Sequence, residues 1–136
     1  MRNKILVFVL AGILSLLGMP ASAKHYKTAK LKLNKYKYEL GTLYQTDSIY
    51  TLTIPFQNVG DGDLKFEDIA PDCPCITVTY DKKTYPPKAK GKIKLVFDLS
   101  IPPQEMEKGI FIYSNASPLD TSIDVRFHGF LKASRK

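Results

Sequence analysis

The sequence predicts an all-β fold, an immunoglobulin-like β-sandwich of about seven antiparallel strands, and three observations predict it. Apolar residues recur at every second position in segment after segment. Turns rich in glycine, proline and asparagine part these segments at spacings near those of a sandwich, and no segment keeps a helical period. Each such strand has one apolar face, and two antiparallel sheets can cover each other's faces. With 136 residues, 44% apolar and 24% charged, the chain suffices for one core and not for two.

The first residues stand outside that core. Arg2 and Lys4 form a positive n-region, Ile5 to Gly18 an apolar run, and Ala21-Ser22-Ala23 a small-x-small cleavage site, the pattern of a secretory signal peptide over residues 1–23. The apolar run is shorter than the ~20 residues a bilayer crossing needs, and no cysteine lies near the cleavage site to carry a lipid. The expected mature chain begins at Lys24, carries no transmembrane segment and is extracytoplasmic, periplasmic or secreted. Taking Arg2 and Lys4 from the 20 basic residues leaves 18 against 13 acidic ones, a net charge of +5.

Residues 24–44 read as a basic arm with edge strand. Six lysines (Lys24, Lys27, Lys30, Lys32, Lys35 and Lys37) are interleaved with Tyr26, Tyr36 and Tyr38. Such a mixture can contact an anionic polymer, but its plainer reading is a solvated arm, and the expected export leaves nucleic acid aside. Leu31 and Leu33 alternate with lysines, and Tyr36, Tyr38 and Leu40 continue one step out of phase, giving one or two short edge strands ended by Gly41.

Residues 45–136 hold the sandwich. From Ser48, Tyr50, Leu52, Ile54 and Phe56 fall on one face and Thr51, Thr53 and Pro55 on the other. Pro55 cannot donate to a ladder, so the strand must be an edge there or carry a bulge. Asn58 to Asp63 reverses the chain; Asp61 and Asp63 alternate as calcium ligands do, but Lys65 occupies the next alternate position, which favours a turn. A strand from Leu64 to Ile69 follows, then Ile76 to Tyr80, and, after a lysine- and proline-rich connection, Gly91 to Leu99. Pro103 to Lys108 is the one helix candidate, too short to matter. Gly109 to Ser114 is apolar on both faces, which suits a central strand, and Ile123 to Leu131 alternates to the end.

Chemistry is sparse in this pattern. His25 and His128 are the only imidazoles: His25 falls near the expected mature terminus, and His128 on the outward face of the last strand. Neither a nucleophile elbow nor a phosphate-binding glycine loop occurs, so no catalytic residue is assigned, no enzyme is expected and no cofactor is implied. The cysteines are the exception. In an extended chain Cys73 and Cys75 share a face with Cα atoms ~6.6 Å apart, at the long limit for a disulfide, so closing a ring requires a local turn. Four readings stay open: buried thiols, a strained and easily reduced disulfide, a soft-metal site with Cys73 and Cys75 as copper(I) ligands, and pairing with a partner's cysteine.

Phe56-Gln57-Asn58-Val59-Gly60 followed by Leu64 and Ile69 resembles the F-x-N-x-G…L-x-I hairpin of the bacterial domain-of-unknown-function 1573 family. Cys73-Pro74-Cys75-Ile76-Thr77 is similar to that family's Cys-Gly-Cys-Thr, with a proline between the cysteines and one extra residue before the threonine. Gly91 to Phe97, Gly109 to Asn115 and Val125 to Phe130 resemble its later strands. The resemblance, over roughly 46–131, implies an immunoglobulin-like fold related to ASH and major-sperm-protein domains, on exported bacterial proteins. It points to a non-catalytic binding or assembly module of the cell envelope with an unidentified protein or polysaccharide partner; the alternative is a thiol-based copper(I) or redox protein centred on Cys73 and Cys75.

Overall fold

A computed structural model describes residues 26–116 and 122–135. Eight strands form two four-stranded sheets: β1 (Leu31–Leu33), β2 (Lys37–Tyr44), β3 (Ile49–Asn58), β4 (Phe66–Pro71), β5 (Ile76–Tyr80), β6 (Lys90–Asp98), β7 (Gln104–Ser114) and β8 (Ile123–Lys132). One sheet runs β1-β3-β6-β5 and the other β2-β8-β7-β4. The expected signal segment, its cleavage site and His25 lie outside the described residues, as do Ser117 and Pro118 of the expected turn. Among the described residues no helix is long and apolar enough to cross a membrane.

The alternation read from the sequence is what builds the core. Ile54 and Phe56 from β3, with Ile93, Leu95 and Phe97 from β6, face Met106, Ile110 and Ile112 from β7 and Val125, Phe127 and Leu131 from β8, all buried. Phe97 and Phe127 meet edge to face across the sheets, ring centroids 5.4 Å apart, an arrangement worth about 0.5–1.5 kcal/mol beyond area burial. At one end Phe56, Phe66 and Tyr85 form a second aromatic cluster, and Gly91 opposite Phe56 leaves the room it needs.

Three details differ from the sequence reading. First, the two expected edge strands belong to different sheets: β1 pairs β3, and after three residues the chain crosses so that β2 pairs β8, in parallel where antiparallel pairing was expected throughout. Second, Gly41 does not end a strand. With φ at +71° it sits in the register shift between Glu39 and Gly41, a bulge that lets β2 continue to Tyr44. Third, residues 104–108 are strand, not helix: β7 starts at Gln104, pairs with β8 from Gln104 to Ile112, and holds a central position between β8 and β4.

Pro55 is placed as the sequence requires. β1 ends at Leu33 opposite Phe56, so among the described residues β3 has no neighbour on that side from Ile49 to Pro55, and the missing N–H breaks no ladder there.

The turn after β3 is held by Asn58, the one buried polar side chain among the described residues. Its Oδ1 accepts from Gly60 N (3.0 Å) and Lys30 N (3.3 Å), and its Nδ2 donates to the carbonyls of Gly62 (2.8 Å) and Tyr85 (2.9 Å). Gly60 follows because a Cβ there would lie 2.2 Å from the Thr28 carbonyl. Asp61 accepts from Thr28 N at 2.7 Å, so the turn seats the 26–30 segment, and Ala29 is buried beneath it. Turn geometry thus accounts for Asn58, Gly60 and Asp61 without a cation. Asn115, just after β7, braces the start of β4, accepting from Lys65 N and donating to the Asp63 carbonyl.

Candidate functional site: the β4–β5 corner and cleft

β4 and β5 are the terminal strands of their sheets and lie on the same side of the sandwich. The chain crosses between them in four residues, Asp72 to Cys75. Asp72 starts the crossing: its N–H donates to Gly109 O (3.0 Å), its Oδ1 accepts from Gly109 N (2.9 Å), and its Oδ2 accepts from Arg126 Nη1 (3.1 Å). A β-turn then runs from Cys73 to Ile76, closed by Ile76 N donating to Cys73 O at 3.1 Å.

That turn supplies the local bend a ring requires. It brings the Cα atoms of Cys73 and Cys75 to 5.1 Å, and the two sulfurs are joined in a disulfide. Cys75 belongs to the buried core and Cys73 is half-buried against it, so the bond joins a core residue to one at the rim. Of the four readings open in the sequence, the structure thus adopts the intramolecular disulfide. In this state neither cysteine offers a thiolate, and metal binding belongs to the reduced pair.

Beyond the corner the two edges stay apart and leave a cleft of about 360 Å³. Phe66, Glu67 and Asp68 line it from β4, Tyr80 from β5, and Lys65, Lys82 and Lys83 from the flanking loops. Among the described residues β4 pairs only with β7 and β5 only with β6, so each turns an unpaired edge toward this side. Burial, followed by the nearby Asp68 charge, raises the pKa of Tyr80, and its hydroxyl stays protonated as a donor. The cleft therefore offers an aromatic floor, charges of both signs and unpaired backbone, a set suited to holding an extended chain.

His128 lies elsewhere, on the outward face of β8, as its position in the alternation requires. Its Nε2 meets Glu105 at 2.9 Å and its Nδ1 meets Glu39 at 2.8 Å, one glutamate from each neighbouring strand. Carboxylates at both ring nitrogens call for both protons, and these hydrogen bonds, Glu105 first and Glu39 second, raise the pKa to about 9. Glu105, Glu107 and His128 place ligand atoms within 4.8 Å of one another, but both ring nitrogens are engaged in this ion-pair cluster. Sequence reasoning placed His128 outward and missed its partners, because Glu39 is 89 residues away in the chain.

The family model described as "Protein of unknown function (DUF1573)" matches residues 31–130. The chain belongs to this family. No curated protein matches it. Among solved structures, this DUF1573 chain is similar to a protein of unknown function from Porphyromonas gingivalis W83 (19% identity, TM-score 0.68, 81% of this chain and 50% of that one). It is also similar to the ASH/PapD-like domain 7 of human CEP192 (8%, 0.60, 86% and 95%) and to the YadV chaperone (15%, 0.54, 77% and 52%). The chain spans half the length of the P. gingivalis protein. At these identities the likeness is one of fold, a β-sandwich of two sheets.

Proposed function

We propose that this DUF1573 protein is a non-catalytic binding or assembly module that acts outside the cytoplasm, after cleavage near Ala23, on a protein or polysaccharide partner of the cell envelope. The observation that carries the reading is the open side of the sandwich, where the unpaired edges of β4 and β5 flank the cleft floored by Phe66 and Tyr80. An extended segment laid along either edge completes the ladder through its backbone, while the cleft selects its side chains. The likeness to a PapD-like domain and to a chaperone supports this. Cross-linking in intact cells followed by recovery of the protein tests it: one discrete adduct is expected, and repeated recovery of the protein alone counts against the reading.

A second reading, a thiol-based copper(I) or redox protein, is favoured by one feature: the Cys73–Cys75 disulfide has one half-buried member, Cys73, at the rim of the sandwich. It requires that the reduced protein bind copper(I) and that the Cys73→Ser/Cys75→Ser variant lose the metal.

A further inference from the structure

The outward face of the β1-β3-β6-β5 sheet is not used by the cleft, and its charge is one-sided. Register places its residues in rows. Lys32, Gln57 and Lys90 lie side by side across β1, β3 and β6; Pro55 is beside Lys92; and Thr53, Lys94 and Thr79 lie side by side across β3, β6 and β5. Thr51, Val96 and Thr77 form the next row, and Asp98, at the far end beside Ile49, is the one carboxylate in the paired rows. All four lysines are exposed, and none has an ion-pair partner among the described residues.

The opposite sheet is built differently. Glu39, Glu105, Glu107 and Asp124 lie outward there, and Arg126 and His128 are paired within that face. Like charges at alternate positions of one strand, ~6.6–6.8 Å apart, and across from one another repel. A lysine row without carboxylates between its members is therefore an arrangement that an anionic partner relieves.

The face also carries a recess. A cavity of about 200 Å³ opens where β1 stops short of Pro55, lined by Lys32, Asn34, Pro55, Phe56, Gln57 and Lys90. Two ammonium groups and two carboxamides thus surround a space sized for a small anionic group.

We propose that this face binds an acidic polysaccharide, a chain of uronate-bearing sugars, with one carboxylate in the Lys32–Lys90 recess and the chain running along Lys92 and Lys94. The four flanking threonines supply hydroxyls for sugar hydrogen bonds. Two other polyanions fit less well. Single-stranded nucleic acid is held by stacking its bases on aromatic side chains, and Tyr50 and Tyr80 of these strands point to the inner face. An anionic bilayer is held by lysines together with buried apolar side chains, and the lysine end of this face presents only Pro55. The proposal rests on the binding-module reading and adds a second surface to it.

The test measures binding of the full chain to immobilised polygalacturonate at low and physiological salt, with neutral dextran, phosphatidylglycerol vesicles and single-stranded DNA as comparisons. Lys90→Glu/Lys92→Glu/Lys94→Glu is set against a control of equal charge change on other surfaces, Lys35→Glu/Lys37→Glu/Lys132→Glu. The expected result is salt-sensitive binding to polygalacturonate and not to dextran, weakened at least tenfold by the face variant and less than twofold by the control, with both variants melting like the parent. Equal losses in the two variants, tighter face-dependent binding to vesicles or DNA, or no binding to polygalacturonate at low salt overturns it. A milder Lys92→Gln/Lys94→Gln variant, expected to lose at least threefold, serves if the triple variant does not fold. Partner capture at the β4–β5 cleft is expected to survive these substitutions, so either surface can fail alone.

Discussion

Replacing Asn58 by alanine removes four hydrogen bonds from a single fully buried position. The bonds tie the end of β3 to the Gly62 and Tyr85 carbonyls and to the N–H groups of Gly60 and Lys30, so the variant loosens three segments at once. At about 1 kcal/mol net per bond, four bonds amount to about 4 kcal/mol, and the stranded buried groups keep the cost from falling below about 2 kcal/mol. That is a large part of the 5–15 kcal/mol typical of a whole domain. Asn58→Asp costs more, because it sets a carboxylate oxygen against two carbonyl oxygens where an amide donated. The assay is urea unfolding followed by far-UV circular dichroism, since the chain has no tryptophan. With a slope near 2 kcal/mol/M the midpoint of Asn58→Ala falls by roughly 2 M at unchanged slope. A loss under about 1 kcal/mol refutes the reasoning, because Asn58 would then be an ordinary turn residue.

Three further outcomes are expected. Gly91→Ala puts a methyl 2.4 Å from the Phe56 ring and 2.9 Å from Tyr85, and overpacking there costs about 1–3 kcal/mol, read from the same unfolding curves. His128 has its folded pKa raised to about 9 from an ordinary value near 6.5, so its contribution is complete below about pH 6.5 and is lost as pH rises through 9. Thermal midpoints measured from pH 6 to 10 should therefore fall more steeply for the parent than for His128→Gln, and parallel curves contradict the assignment. Cys73→Ser/Cys75→Ser opens a very small ring, whose closure entropy is on the order of 1–2 kcal/mol, so the variant should stay folded with a modestly lower midpoint; outright unfolding would show that the bond does more than close the turn.

Legibility in the sequence followed burial. β3, β6 and β8 each have one face in the core, so Ile54 and Phe56, Ile93 to Phe97, and Val125 to Leu131 announce themselves by alternation. The first half of β7 does not, because Met106 is its only apolar residue between Gln104 and Lys108, and its strand state comes from pairing with β8. Pairing partners are long-range, so neither the sheet switch after Leu33 nor the parallel β2–β8 ladder leaves a local mark. The cysteine pair was legible as a site and not as a state: the sequence gives the spacing, while the turn that shortens it to 5.1 Å depends on Asp72 being anchored to Gly109 and Arg126. The lysine face is written in the alternation of Lys90, Lys92 and Lys94, but Lys32 joins it only through the β1–β3 register.

The central claim, that the open β4–β5 side holds a partner, is tested most directly by photo-cross-linking in living cells. A photoreactive amino acid is placed at Glu67 or Lys83 in the cleft and, as a control, at Asp124 on the outward face of β8. The account predicts one discrete adduct from both cleft positions and none from Asp124. No adduct from the cleft, or the same adduct from all three positions, contradicts it.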